Sequence, residues 1–326
     1  MELLLVILLF LYSTIFIVGF TGNLFMVLVT LHSNKLRSIC NILICVCCFC
    51  DLLLFTDVIA FVVSMLTPLT QELCFYISIP ADFGAFASNA CVLAIGIDRL
   101  IAVAAPTRYN LPAFFWKIEK QEIFVFRFSK GLYKLLENER YKYLFLQMTF
   151  PVIYSSTLLI MGFGQRDPRR NVVCLLPESL GHAYDMFALS SFGINLFVPP
   201  IYAYVYFKVK NMSDNNSIKT VFKSLSVTVW FVVCGWMTTD LIGALTVILP
   251  MDRSVARMVQ LYCGTFIFTS SAFNAVVYYK FSRDYRSAMR TMLGLSNEVS
   301  IADINIYQQA SDPPKSSNQR PFTNTS

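Results

Sequence analysis

Seven runs of apolar residues constrain this chain more than any other feature: 3–31, 40–66, 74–104, 143–163, 187–207, 221–249 and 255–279. Each is long enough to cross a hydrocarbon layer about 30 Å thick, which takes roughly 20 residues in a helix. Inside lipid a backbone must satisfy its own polar groups, so runs of this length read as helices and not as barrel strands. The expected fold class is therefore an all-α membrane protein, a bundle of seven transmembrane helices. Composition agrees: at 56% hydrophobic and 14% charged over 326 residues, the chain is too poor in charge for a water-soluble domain of this size.

Basic residues accumulate in cytoplasmic loops and so give the orientation. Eighteen lie on one side: Lys35 and Arg37, eight from Arg108 to Lys142, four from Lys208 to Lys223, then Lys280, Arg283, Arg286 and Arg290. Five lie on the other, namely Arg166, Arg169, Arg170, Arg253 and Arg257. This places the N-terminus outside and the C-terminus inside. The formal charge of +6 then reflects topology and attraction to the inner leaflet of the bilayer, with no need of nucleic acid as a partner. The first run lacks a basic leader and exceeds the length of a signal-peptide core, so it is expected to stay as a span. Little would then precede the membrane to capture a large ligand.

Four of the ten cysteines, Cys45, Cys47, Cys48 and Cys50, crowd the second run. Their spacing scatters them around a helix with no histidine nearby, as small buried hydrophobes rather than metal ligands. Cys74 and Cys174 fall at the outer face, where the compartment is oxidising, and are expected to form a disulfide between the third span and the second outer loop.

Acids inside apolar spans are costly unless they face the bundle interior. Asp51, Asp57, Asp82 and Asp240 are so placed. Threading the spans alternately puts Asp51 at the depth of Asn23, Ser88, Ser270, Ser271 and Asn274. Such a cluster suits either a sodium ion, through its hard oxygen ligands, or a satisfied polar network that joins the helices. Ser88 and Arg99 are eleven residues apart, close to three helical turns, and share a face. Asp98-Arg99 lies at the inner mouth of the third span, with Asp98 the natural charge partner of Arg99; no second acid stands near Ser217 and Ile218 to lock the sixth span. In the outer halves, Asp82 and Asp240 with Phe83, Phe86, Trp236, Thr238 and Thr239 could frame an apolar small-molecule cavity with a few polar groups.

In order and spacing, Gly22-Asn23, Asp51, Cys74, Asp98-Arg99-Leu100 and Asn274-Ala275-Val276-Val277-Tyr278 resemble the rhodopsin-like G-protein-coupled receptors. More closely, residues 36–53 (LRSICNILICVCCFCDLL), 96–109 (GIDRLIAVAAPTRY), 141–162 (YKYLFLQMTFPVIYSSTLLIMG) and 222–227 (FKSLSV) are similar to the nematode serpentine chemoreceptors of class sx (Srsx). The resemblance implies a plasma-membrane receptor, in sensory cilia in some cases, that binds a small external chemical and activates a heterotrimeric G protein. It also implies that Arg99 engages the G protein, that Asp98 restrains Arg99 at rest, and that Tyr278 swings inward on activation. A neuropeptide receptor of the same fold is the near alternative. A channel, a transporter or a non-signalling product is the distant one.

The chain departs from the wider pattern in several places. Leu100 stands where Tyr is favoured, and Ala275 where Pro is usual, which removes a source of helix kinking. Trp236 comes one place late with no Pro following. Ala81 occupies the position at which amine receptors carry an acid, so amine binding is not favoured. The second inner loop is far longer than the family's, and residues 113–138 read either as an interfacial amphipathic helix or as a retained intron.

After Tyr278, apolar Phe281, Tyr285, Met289 and Met292 alternate at helical spacing with basic residues, as in an amphipathic helix on the inner leaflet. The receptor domain thus runs over 1–295, and the polar segment 296–326 is expected to be a disordered cytoplasmic tail. The glycan patterns at Asn211, Asn215 and Asn324 fall on the cytosolic side and should stay bare. No phosphate loop, zinc spacing or nucleophile elbow occurs, so neither enzyme activity nor a cofactor is expected.

Overall fold

The computed structural model describes residues 2–104, 140–212, 233–246 and 248–295. The inner-loop insertion at 113–138, the first part of the sixth span and the tail lie outside the described residues.

The first helix, Glu2–His32, is apolar on every face. The second, Ile39–Leu66, is capped by Ser38, whose hydroxyl accepts the Asn41 N–H. The third runs over Gln71–Ala104, the fourth over Arg140–Phe163 and the fifth over Ala183–Met212. A sixth occupies 233–246, and the seventh is divided into Arg253–Ala272 and Asn274–Phe281. Six helices among the described residues are long and apolar enough to cross a membrane; the sixth span is described over too few residues to be counted with them. Prolines occur inside the third, fourth and fifth helices, where neighbouring helices can satisfy the freed carbonyls.

The second and third helices form the centre. Of their most apolar windows 67% and 72% is buried, against 22% for the fourth helix, whose Phe145, Ile153 and Ile160 stay exposed as a lipid-facing surface does. Close approach at the centre depends on glycine. A Cβ on Gly84 of the third helix would meet the Cys50 carbonyl oxygen at 2.4 Å and the Leu54 nitrogen at 2.6 Å, so these two backbones touch as small-residue interfaces in membranes allow. A Cβ on Gly235 would meet Ser270 Oγ at 2.5 Å, which brings the sixth and seventh helices together in the same way.

The two ends of the bundle differ. At the disulfide end, Cys74 and Cys174 are bonded with Cα atoms 5.4 Å apart. Beside them the strands Leu69–Thr70 and Asn171–Val172 pair antiparallel, and a five-residue helix, Leu176–Leu180, follows. At the opposite, arginine end, the helix Arg283–Met292 folds back against the bundle. It is capped by the Ser282 hydroxyl and buries Tyr285 and Met289, one turn apart on one face. Tyr285 packs on Tyr278 with ring centroids 5.0 Å apart, and burial pushes its hydroxyl well above the usual tyrosine range. This is the amphipathic helix read from the spacing of residues 281–292.

The seventh helix breaks at Phe273 although Ala275 replaces the usual proline. The Asn23 side-chain amide donates to the Ser271 carbonyl at 3.0 Å, one residue before the first segment ends. The helical ladder continues around the interruption, with the Phe273 N–H on the Thr269 carbonyl at 3.2 Å and the Val277 N–H on the Phe273 carbonyl at 2.9 Å.

Candidate functional site

Three polar clusters are strung along the bundle interior. The deepest surrounds Asp51. One carboxylate oxygen accepts the Ser88 hydroxyl at 2.6 Å and the Ser271 hydroxyl at 3.3 Å, and the other accepts the Asn274 amide at 2.7 Å. Asn274 also reaches Asn23 Oδ1 at 3.5 Å. Five of the six residues expected here come together. Ser270 does not: its hydroxyl bonds to the Ile267 carbonyl of its own helix, where it faces Gly235.

At the arginine end, Arg99 Nη2 and Asp98 Oδ2 form an ion pair at 2.7 Å, with 14% and 8% of the two side chains exposed. Asp98 also accepts the Tyr143 hydroxyl at 3.2 Å, and Tyr143 in turn accepts Gln147 at 2.9 Å. The fourth helix thereby holds the acid that holds the arginine. Sequence reasoning missed Tyr143 and Gln147, because one turn of a helix end carries no motif. Tyr278 is buried against Tyr285.

Toward the disulfide end, a cavity with about 520 Å³ of empty space, its open mouth included, draws walls from every described span but the fourth. Tyr12, Asp57, Tyr184, Trp236, Asp240 and Phe268 are among its lining residues, and the short helix Leu176–Leu180 contributes Leu176 and Pro177. Of the residues proposed from sequence, Trp236, Thr239 and Asp240 line this cavity, whereas Asp82, Phe83 and Phe86 do not. Phe86 is wholly buried against Phe187, with centroids 4.6 Å apart. Both carboxylate oxygens of Asp82 accept the Ser179 hydroxyl. Thr238 turns back on the Cys234 carbonyl.

Asp57 was an interior acid with no assigned place. It lines the cavity and accepts the Leu176 backbone N–H at 3.3 Å and the Ser78 hydroxyl at 3.5 Å. Asp240 is held by Ser191 at 2.7 Å and Asn195 at 2.8 Å, both on the same oxygen, and Ser191 accepts Asn89 at 2.6 Å. This chain of four side chains joins the third, fifth and sixth helices. Helical spacing in the fifth span, with Ser191 and Asn195 four apart, was the signal that could have found it.

The arrangement amounts to a concave, largely apolar cavity at one end, a charged pair at the other, and polar contacts in between. Comparison with known proteins bears on what such an arrangement serves. The sequence profile described as "Serpentine type 7TM GPCR chemoreceptor Srsx" matches residues 16–132 and 122–293, two segments that overlap inside the oversized inner loop. The chain is also 24% identical over 309 residues to the thyrotropin-releasing hormone receptor of Gallus gallus, covering 84% of this chain and 75% of that protein.

Proposed function

The chain belongs to the Srsx serpentine chemoreceptors, a seven-helix family of G-protein-coupled receptors, and on that footing we propose that it binds a small external chemical in the cavity beside Asp240 and activates a heterotrimeric G protein at Arg99. The carrying observation is the cavity at the disulfide end, which shares the third helix with the Asp98–Arg99 pair at the other end. In this reading the disulfide end faces outward at the plasma membrane, in the ciliary membrane where the cell has one. A ligand shifts the inactive-to-active equilibrium only by binding the active form better. Motion of the sixth helix would be felt directly by Asp240, Ser191 and Asn195, and would open the arginine end to the G protein.

The Asp51 cluster would serve as the pivot. One carboxylate with the Ser88 and Ser271 hydroxyls suits a hard monovalent cation, and sodium held there would neutralise a charge otherwise met by hydrogen bonds alone. Loss of sodium sensitivity of signalling in Asp51→Asn would identify that role; equal sensitivity in both proteins would leave Asp51 as a helix-joining group.

Replacing Arg99 with Ala tests the receptor reading. Nucleotide exchange on the G protein should be lost while cell-surface abundance is kept, and retained exchange would refute the assignment. A peptide ligand is the second reading, supported by the likeness to a receptor whose name specifies a releasing hormone. Against it stands the Leu176–Leu180 helix, which is tied to Asp57 and Asp82 and contributes Leu176 and Pro177 to the cavity wall, taking up room that a peptide would need.

A further inference from the structure

The cavity is lined by two acids, Asp57 and Asp240, and, among the described residues, by no base. In the connecting loop, Arg170 is engaged 2.6 Å from Glu178. Both Ser191 and Asn195 donate to Oδ2 of Asp240, leaving Oδ1 with no hydrogen bond from the described residues. Five of the other lining residues are aromatic, Tyr12, Tyr184, Phe187, Trp236 and Phe268, and most of the rest are aliphatic. The Trp236 indole Nε1 is buried without a hydrogen-bond partner among the described residues, although buried donors in folded proteins are nearly always matched.

We infer that the ligand is a small organic cation, a protonated amine on an apolar body, with its nitrogen at the open Oδ1 of Asp240 and its body against the aromatic side chains. Two acids in a low-dielectric cavity lacking a basic side chain are stabilised by a cation from outside the chain. Aromatic faces add attraction for the same charge, and an anion would meet two carboxylates. An ether or carbonyl oxygen on the ligand body would satisfy the Trp236 N–H. The expectation against amines rested on Ala81, but Ala81 is buried outside this cavity. The acids come instead from the second and sixth helices, a different construction of the same chemistry.

This inference rests on the receptor reading of the cavity, and the experiment separates the two. The full-length protein in lipid nanodiscs would be titrated with 2-phenylethylamine, 4-methoxyphenylethylamine and octylamine, and with the alcohol and the carboxylate matched to each, while thermal stability is followed. G-protein nucleotide exchange would be read in parallel. Amines alone should stabilise the protein. Their affinity should fall about tenfold or more in Asp240→Asn, partly recover in Asp240→Glu, and fall independently in Asp57→Asn, which guards against a single variant that fails to fold. Stabilisation by alcohols or carboxylates as strong as by amines, amine binding unchanged in both Asn variants, or no amine response across the panel would overturn the inference. Exchange evoked by a neutral or anionic compound would overturn the cation alone and keep the receptor reading. Amine binding with no exchange under any condition would overturn the receptor reading alone.

Discussion

The Ser179 hydroxyl lies 3.0 and 3.2 Å from the two carboxylate oxygens of Asp82. This fastens to the third helix the short helix Leu176–Leu180, whose Leu176 and Pro177 line the cavity. Ser179→Ala leaves a buried carboxylate without its donor, at a cost of about 1–3 kcal/mol. Thermal denaturation should register that loss, and ligand entry and exit should both accelerate in stopped-flow binding, since the loop is held at one point fewer. Unchanged kinetics would show that the loop does not gate the cavity.

The same loop is tied covalently by Cys74–Cys174. Cys174→Ala should lower stability by about 2–5 kcal/mol and reduce surface expression. Mild reduction of the intact protein should have the same effect on ligand affinity as the substitution, measured by competition binding.

At the other end, Asp98→Asn removes the charge that pairs with Arg99 and weakens the tie to Tyr143. A shift of about 1–2 kcal/mol toward the active state corresponds to roughly a five- to thirtyfold change in its population. Basal G-protein nucleotide exchange should rise accordingly. Tyr143→Phe should raise it less, because the ion pair itself survives.

Gly235→Ala sets a methyl group 2.5 Å from Ser270 Oγ and 2.9 Å from the Phe266 carbonyl, an overpacking expected to cost about 1–3 kcal/mol. Adding Ser270→Gly should recover part of that loss. The yield of monodisperse protein and its melting temperature report both steps, and an additive loss would show that the two helices are not in the contact described.

The seven-span architecture, the disulfide and most of the Asp51 cluster were legible in the sequence because each rests on a pattern that one dimension preserves: a long apolar run, a compartment, a depth along a span. Residues whose role depends on rotation about a helix axis were not. Asp82 and Asp240 looked equivalent by depth, yet Asp240 lines the cavity while Asp82 is turned toward the connecting loop. Asp57 lay on the opposite side of the same ambiguity. Ser270 and Ser271 are adjacent, so a helix directs them apart, and only Ser271 reaches Asp51. The tie between Asn23 and the Ser271 carbonyl was invisible because its partners lie some 250 positions apart in the chain.

Asn23 serves both sides of the break at Phe273. Its amide is given to the Gly19 carbonyl of its own helix at 2.9 Å and to the Ser271 carbonyl at 3.0 Å, and its oxygen takes the Asn274 amide at 3.5 Å. Ser271 lies in the last turn of the first segment of the seventh span and Asn274 opens the second. The two segments thus share one anchor, and it belongs to another helix.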